Sequence, residues 1–276
     1  MTAGAGGRPG AAGRFASAVF GIAVLVFVLA PLLWLALRAF AGSWTYPHLL
    51  PSQWSLRWWS QVWDTPGLTS SIRLSLIITP IVTVLAMIVC LPAAYAIARY
   101  RFPGRQLVLM TIFATNAFPR FGLFITMASL FYSLNLMDRM AGVVIVQLIG
   151  TIVFMTWIPA AAFAAIPPSL EEAARDAGAG ALRTFFTVTL PLAAPSILVA
   201  VILSFLAAFD EAQGTFLVGS PDIVTMPVQM YSLIGNYPDQ VAAVFSIMLS
   251  IPSVLLLSLV RRRVLGGTIA QGFTIR

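Results

Sequence analysis

The chain has 276 residues, of which 59% are hydrophobic and only 9% charged, where a soluble domain carries about 25% charge; its mean hydropathy is +0.93. Such a surface cannot stay in water, so the chain is an integral membrane protein. Its net charge of +7 comes from arginines with no lysine among them, which excludes a G-x-x-x-x-G-K-[ST] phosphate loop and ATP hydrolysis by that route. One cysteine (Cys90) and one histidine (His48) exclude disulfide frameworks, CxxC sites and histidine-rich metal centres. A Ser-His-Asp triad would need His48, which reads instead as an interfacial histidine beside Tyr46 and Pro47.

Residues 1–14 are rich in glycine and alanine and read as a short disordered cytoplasmic tail. The apolar run 15–40 is too long for the core of a signal peptide. It does suit a membrane span, for which about 20 residues are needed. Five further spans follow over 71–98, 106–133, 141–163, 192–211 and 241–260, and 264–276 forms a cytoplasmic C-terminal tail. The expected fold is therefore all-α with six transmembrane helices.

Arginines set the orientation. Arg8, Arg14, Arg99, Arg101, Arg105, Arg175, Arg183, Arg261, Arg262, Arg263 and Arg276 fall on one side of such a bundle, and Arg38, Arg57, Arg73 and Arg139 on the other. Positive loops stay inside, so both termini are expected in the cytoplasm. The same placement explains the basic charge without a nucleic-acid partner. The outer segment 41–70 carries Trp44, Trp54, Trp58, Trp59 and Trp63. Two readings fit it: an aromatic belt on membrane lipid, and a docking surface for an extracytoplasmic protein. Pro31, Pro80, Pro92, Pro119, Pro159, Pro195 and Pro252 fall within spans and bend them.

Between the fourth and fifth spans, residues 167–191 hold several charges in an otherwise apolar context. Pro167 and Pro168 end the fourth span, and Ser169 stands three residues before Glu172, the spacing of a capping box. Gly178 suits the left-handed position that ends a helix, and Ala181 to Thr189 can form a second short helix. Ala173, Ala174 and Ala177 offer a small-residue face, with Glu171, Glu172, Arg175 and Asp176 as charged contacts around it. A lipid-bound helix would instead want basic and bulky apolar residues.

The order Glu172-Ala173-Ala174, three residues, Gly178, nine residues, then Val188-Thr189-Leu190-Pro191 resembles the coupling loop of permeases in binding-protein-dependent ABC importers. The resemblance runs from the second span to the end of the chain. It implies a type I importer permease fold in a bacterial inner membrane, paired with a second permease, which would make a heterodimer. It implies docking of Glu171, Glu172, Ala173, Ala174, Arg175, Asp176 and Gly178, with Leu190 and Pro191 closing the motif, on an ATPase subunit that binds ATP and magnesium. A solute-binding protein would deliver substrate from outside. No cofactor is expected in this chain, and no catalytic constellation is present. A secondary transporter remains the competing class, but no inverted repeat is apparent.

Asn116, Arg120, Asp210 and Glu211 are polar groups at membrane depth, where a cavity or a structural partner is needed. The phrases at Trp54 to Trp59, Phe209 to Glu211 and Thr225 to Val228 look most like the polyamine and aminoethylphosphonate branch. Arg101-Phe102-Pro103-Gly104 and the coupling loop are equally similar to the sugar branch. The orientation has a direct check. A Ser169→Cys variant is expected to react with a membrane-impermeant maleimide only after the cells are permeabilised, and labelling of intact cells would invert the topology.

Overall fold

The structure is a computed structural model that describes residues 11–45, 47–114 and 118–264. In chain order the elements are α1 (Ala11–Phe40), β1 (Ala41–Ser43), β2 (Gln53–Trp54), α2 (Arg57–Asp64), α3 (Pro66–Arg99), α4 (Arg105–Ala114) and α5 (Arg120–Ser133). They continue with α6 (Met140–Ala165), α7 (Pro168–Asp176), α8 (Ala181–Thr184), a π-helical turn (Phe185–Thr189), α9 (Leu190–Phe209), α10 (Gln213–Gly219), α11 (Met226–Asn236) and α12 (Asp239–Val264). Among the described residues, five helical runs are long and apolar enough to cross a bilayer: 17–40, 66–99, 140–165, 181–209 and 239–258.

The run expected as a third span, 106–133, is not one helix. α4 has 10 residues and α5 has 14, and each falls short of the roughly 20 that a span takes. Pro119 stands immediately before α5. Proline lacks an amide hydrogen and disfavours helix in the residue before it, and here Phe118 and Pro119 are both non-helical. Arg120 consequently opens α5 rather than sitting mid-helix. α1 starts at Ala11, inside the expected tail, because the alanines there extend a helix at little cost. The remainder of both expected tails lies outside the described residues, and so does Asn116.

The chain forms two compact units. One comprises Met1–Val62 with Leu233–Ile247, the other Trp63–Ser232 with Met248–Arg276. In the larger unit α3, α6 and α9 pack together around Ala86, Cys90, Met155 and Ala200 in mid-bundle. Ala94, Ile97, Phe163 and Ile197 fill the end nearest α7. Small residues let backbones approach closely, as membrane helices require. A Cβ at Gly142 of α6 would collide with the Leu136 carbonyl oxygen, and one at Gly214 of α10 with Val146 Cγ1. Ser75 of α3 accepts the Met226 amide hydrogen at 2.8 Å, satisfying the first donor of α11.

In the smaller unit the tryptophans are mainly structural. The β1–β2 pair is antiparallel. The indole N–H of Trp58 donates to Ala41 O at 2.7 Å, that of Trp59 to Ala39 O at 3.1 Å and that of Trp44 to His48 O at 2.8 Å. Arg57 donates to Gly42 O at 2.9 Å and stacks over Trp58 at 4.1 Å. Trp54 stays exposed, as does Trp63 at the start of the larger unit. Glycine packing gives the testable point. Gly214→Ala is expected to destabilise by about 1–3 kcal/mol through overpacking, while Gly122→Ala, which meets open space, leaves the melting temperature of the purified protein unchanged or slightly raised.

Candidate functional site

α7 begins with Pro168 at its first helical position, where a missing amide hydrogen costs nothing. The Pro167 carbonyl accepts the Leu170 amide at 3.2 Å. The helix therefore starts two residues earlier than the capping box requires, and Ser169 lies inside it rather than at its cap. The C-terminus matches expectation. Gly178 has φ +87°, its amide donates to Arg175 O at 2.8 Å, and the Ala179 amide donates to Ala174 O at 3.0 Å. That pair of bonds is a Schellman closure, which needs the left-handed residue that glycine supplies. Glu172, Ala173, Arg175 and Asp176 point outward, and Ala174 is half-buried.

Glu171 behaves differently from the other charges. It is 5% exposed and its carboxylate faces the bundle, which corrects the expectation that it presents a charge to a docking partner. Oε1 accepts from Arg99 Nη2 at 2.9 Å, Arg99 Nε at 3.1 Å and the Thr189 hydroxyl at 2.8 Å. Oε2 accepts the Tyr95 hydroxyl at 3.3 Å and lies 4.0 Å from Arg175 Nη2. Arg99 also donates from Nη1 to Ile166 O at 3.1 Å. An aromatic wall of Tyr95, Phe163 and Phe185, with ring centroids 5.1 to 6.0 Å apart, flanks the pair. Sequence reading missed this arrangement because Arg99 and Glu171 are 72 residues apart. Arg99 read simply as one positive loop charge.

The second half of the loop does not stop before the next span. α8 passes through the π-helical turn into α9, and the Leu190 amide reaches back five residues to Phe185 O. Pro191 follows, with no amide to give and a ring that would clash with the carbonyl four residues earlier, so the turn widens there. Leu190 packs against the cluster holding Ala94 and Phe163.

Three of the polar residues expected to line a pathway converge. Arg120, Asp210 and Glu211 line one cavity of about 720 Å3, together with Gln213, Phe154, Met230 and Tyr231. Glu211 is also committed structurally. Its Oε1 accepts the Gly214 amide at 2.7 Å, and its Oε2 accepts the Thr215 amide at 2.8 Å and the Thr215 hydroxyl at 2.7 Å. The Thr215 hydroxyl in turn accepts from Gln147 Nε2 at 3.1 Å. This carboxylate thus holds the otherwise unsatisfied first amides of α10. A larger cavity of about 930 Å3 lies beside α4, walled by Phe102, Leu109, Met110, Phe113 and Trp157 with Arg105. It gathers one charge and mostly apolar walls, so the smaller cavity is the better candidate for a polar solute.

A bundle of apolar helices with broken elements, an exposed charged loop and a polar cavity is the architecture of a multi-pass membrane protein. Residues 90–266 match the family described as binding-protein-dependent transport system inner membrane component. The chain belongs to that family. It is 31% identical to the maltodextrin transport system permease protein MdxG of Bacillus subtilis, covering 84% of this chain and 82% of that one. It is 26% identical to the diacetylchitobiose uptake system permease protein NgcG of Streptomyces coelicolor, over 94% of this chain and 89% of the relative. A chain of a bacterial ABC transporter involved in the import of the acidic polysaccharide alginate has the same fold, with TM-score 0.73 and 21% identity over 93% of this chain and 99% of that one.

The two cavity carboxylates are separable by experiment. Glu211→Ala strands buried donors and is expected to destabilise by about 1–3 kcal/mol, read as a lowered melting temperature in detergent. Asp210→Asn should leave it within error of the wild type.

Proposed function

We propose that this chain is the permease subunit of an ATP-driven carbohydrate importer and forms part of the pathway for an oligosaccharide or similar polyhydroxylated solute. The observation that carries this reading is the cavity in which Arg120 stands with Asp210 while Glu211 is spent on α10. A polyamine would meet a guanidinium there, with little free negative charge to offset it. A neutral polyol suits a wall that offers both donors and acceptors, and Tyr231 and Phe154 provide apolar ring faces for sugar C–H groups. The maltodextrin and diacetylchitobiose permeases among the relatives favour the same substrate class over polyamines and aminophosphonates.

The chain sits in the bacterial inner membrane with both termini and the α7 loop in the cytoplasm. The outward face of α7 docks on an ATPase subunit, which holds ATP and magnesium. A second permease completes the pathway, and an extracytoplasmic solute-binding protein delivers the sugar. Pairing with a different permease makes the subunit pair a heterodimer.

Uptake of labelled maltotriose, chitobiose and trehalose, set beside spermidine, tests the reading in cells that depend on this chain. Loss of the chain is expected to abolish uptake of a sugar and to leave spermidine unaffected; the opposite pattern overturns it. Asp210→Asn and Arg120→Gln should each cut sugar uptake by about tenfold, the effect of losing one charge-assisted hydrogen bond, with assembly intact. Glu172→Lys and Gly178→Val should reduce the ATPase subunit that co-purifies; wild-type recovery and transport in both would remove the docking role from α7.

A further inference from the structure

We propose that Arg99 and Glu171 form the joint through which movement of α7 is passed into the membrane helices, with Tyr95 and Thr189 as positioning residues that hold the carboxylate in place. The proposal rests on the docking role of α7 and assigns the residues that carry motion inward from it. Four segments meet at this one carboxylate–guanidinium pair. Arg99 and Tyr95 close the end of α3, Ile166 lies just past the end of α6, Glu171 belongs to α7, and Thr189 is the last residue of the π-helical turn leading into α9.

The chemistry of the pair suits a rigid link. Glu171 and Arg99 side chains are 6% and 12% exposed, so solvent screens their attraction weakly. Both Glu171 oxygens have donors, and Arg99 turns its third nitrogen, Nη1, to Ile166 O. A carboxylate tied on one side to α3 and on the other to the start of α9 cannot shift without moving them or breaking buried bonds. Breaking a buried pair by removing one partner is far costlier than breaking a surface pair. By contrast, the connection from α6 into α7 runs through Pro167, whose carbonyl supplies only a single bond to Leu170. The π-helical turn beside Thr189 adds a widened, adaptable ring at the point where α9 would have to yield.

Cys90 is the sole cysteine of the chain and reports on the helices in question. It is buried where α3 meets α6 and α9, beside Met155 and Ala200. The experiment uses the full complex purified with its ATPase subunit and follows N-ethylmaleimide modification of Cys90 by mass, with and without a non-hydrolysable ATP analogue. In the wild type the analogue is expected to change the modification rate several-fold. Arg99→Ala and Glu171→Gln should abolish that response with the ATPase subunit still bound, and the double variant should be no worse than either single one, because both break one link. Gly122→Ala in α5, which meets open space and belongs neither to the joint nor to the docking face, should keep the response. Where the severe variants fail to assemble, Thr189→Val and Tyr95→Phe each remove one hydrogen bond and should weaken the response. A wild type that does not respond, or joint variants that respond like it, would overturn the proposal. Loss of the ATPase subunit in Glu172→Lys bears separately on the docking role, so the two readings fail in distinguishable ways.

Discussion

The buried pair between Glu171 and Arg99 is the constraint on which the α7 end of the molecule depends. Taking two charges out of water is expensive, and the expense is offset only when each charge is fully hydrogen-bonded. Here the carboxylate collects donors from Arg99, Tyr95 and Thr189, and the guanidinium reaches a backbone carbonyl as well. Satisfying one glutamate thereby positions the ends of α3 and α6 and the start of α9. It also sets the rotation of α7 about its own axis. With Glu171 facing inward, Glu172, Ala173 and Asp176 necessarily face outward, so the surface offered to a partner follows from a contact on the opposite side of the helix.

The same logic recurs deeper in the bundle. Where a helix is interrupted in an apolar setting, the freed backbone groups need substitutes. The break after α9 leaves the first amides of α10 without helical acceptors, and Glu211 supplies its carboxylate to them. Gln147 extends the network from α6 through Thr215, and Gly214 and Gly219 let α10 lie close against α6. A functional reading of every acidic residue at membrane depth is therefore too generous. Of the two neighbours Asp210 and Glu211, one holds a helix end and the other is left to face the cavity with Arg120.

Short phrases of sequence carry little information about substrate class. The run from Trp54 to Trp59 suggested a polyamine branch, yet the structure gives Trp58, Trp59 and Arg57 local work, bonding to the backbone at the end of α1 and in β1. Residues that stabilise an outer hairpin carry little information about a solute. Two relatives that match over most of the chain are permease proteins of a maltodextrin transport system and of a diacetylchitobiose uptake system.

The sequence by itself determined the membrane character and the glycine closure of the loop after α7. These are local properties: apolar run length, a proline stop, and a left-handed position that glycine fills without strain. It also pointed to Asn116, Arg120, Asp210 and Glu211 as a group, of which the last three line one cavity. Only the tertiary structure decided that the third run breaks at Pro119, that Glu171 faces inward, and that Glu211 serves α10 before it serves a cavity. Each of those outcomes depends on what a side chain meets across the bundle. Arg99 finds Glu171 over 72 residues of chain and Gln147 finds Thr215 over 68, and no spacing along the sequence encodes a contact that helix packing alone creates.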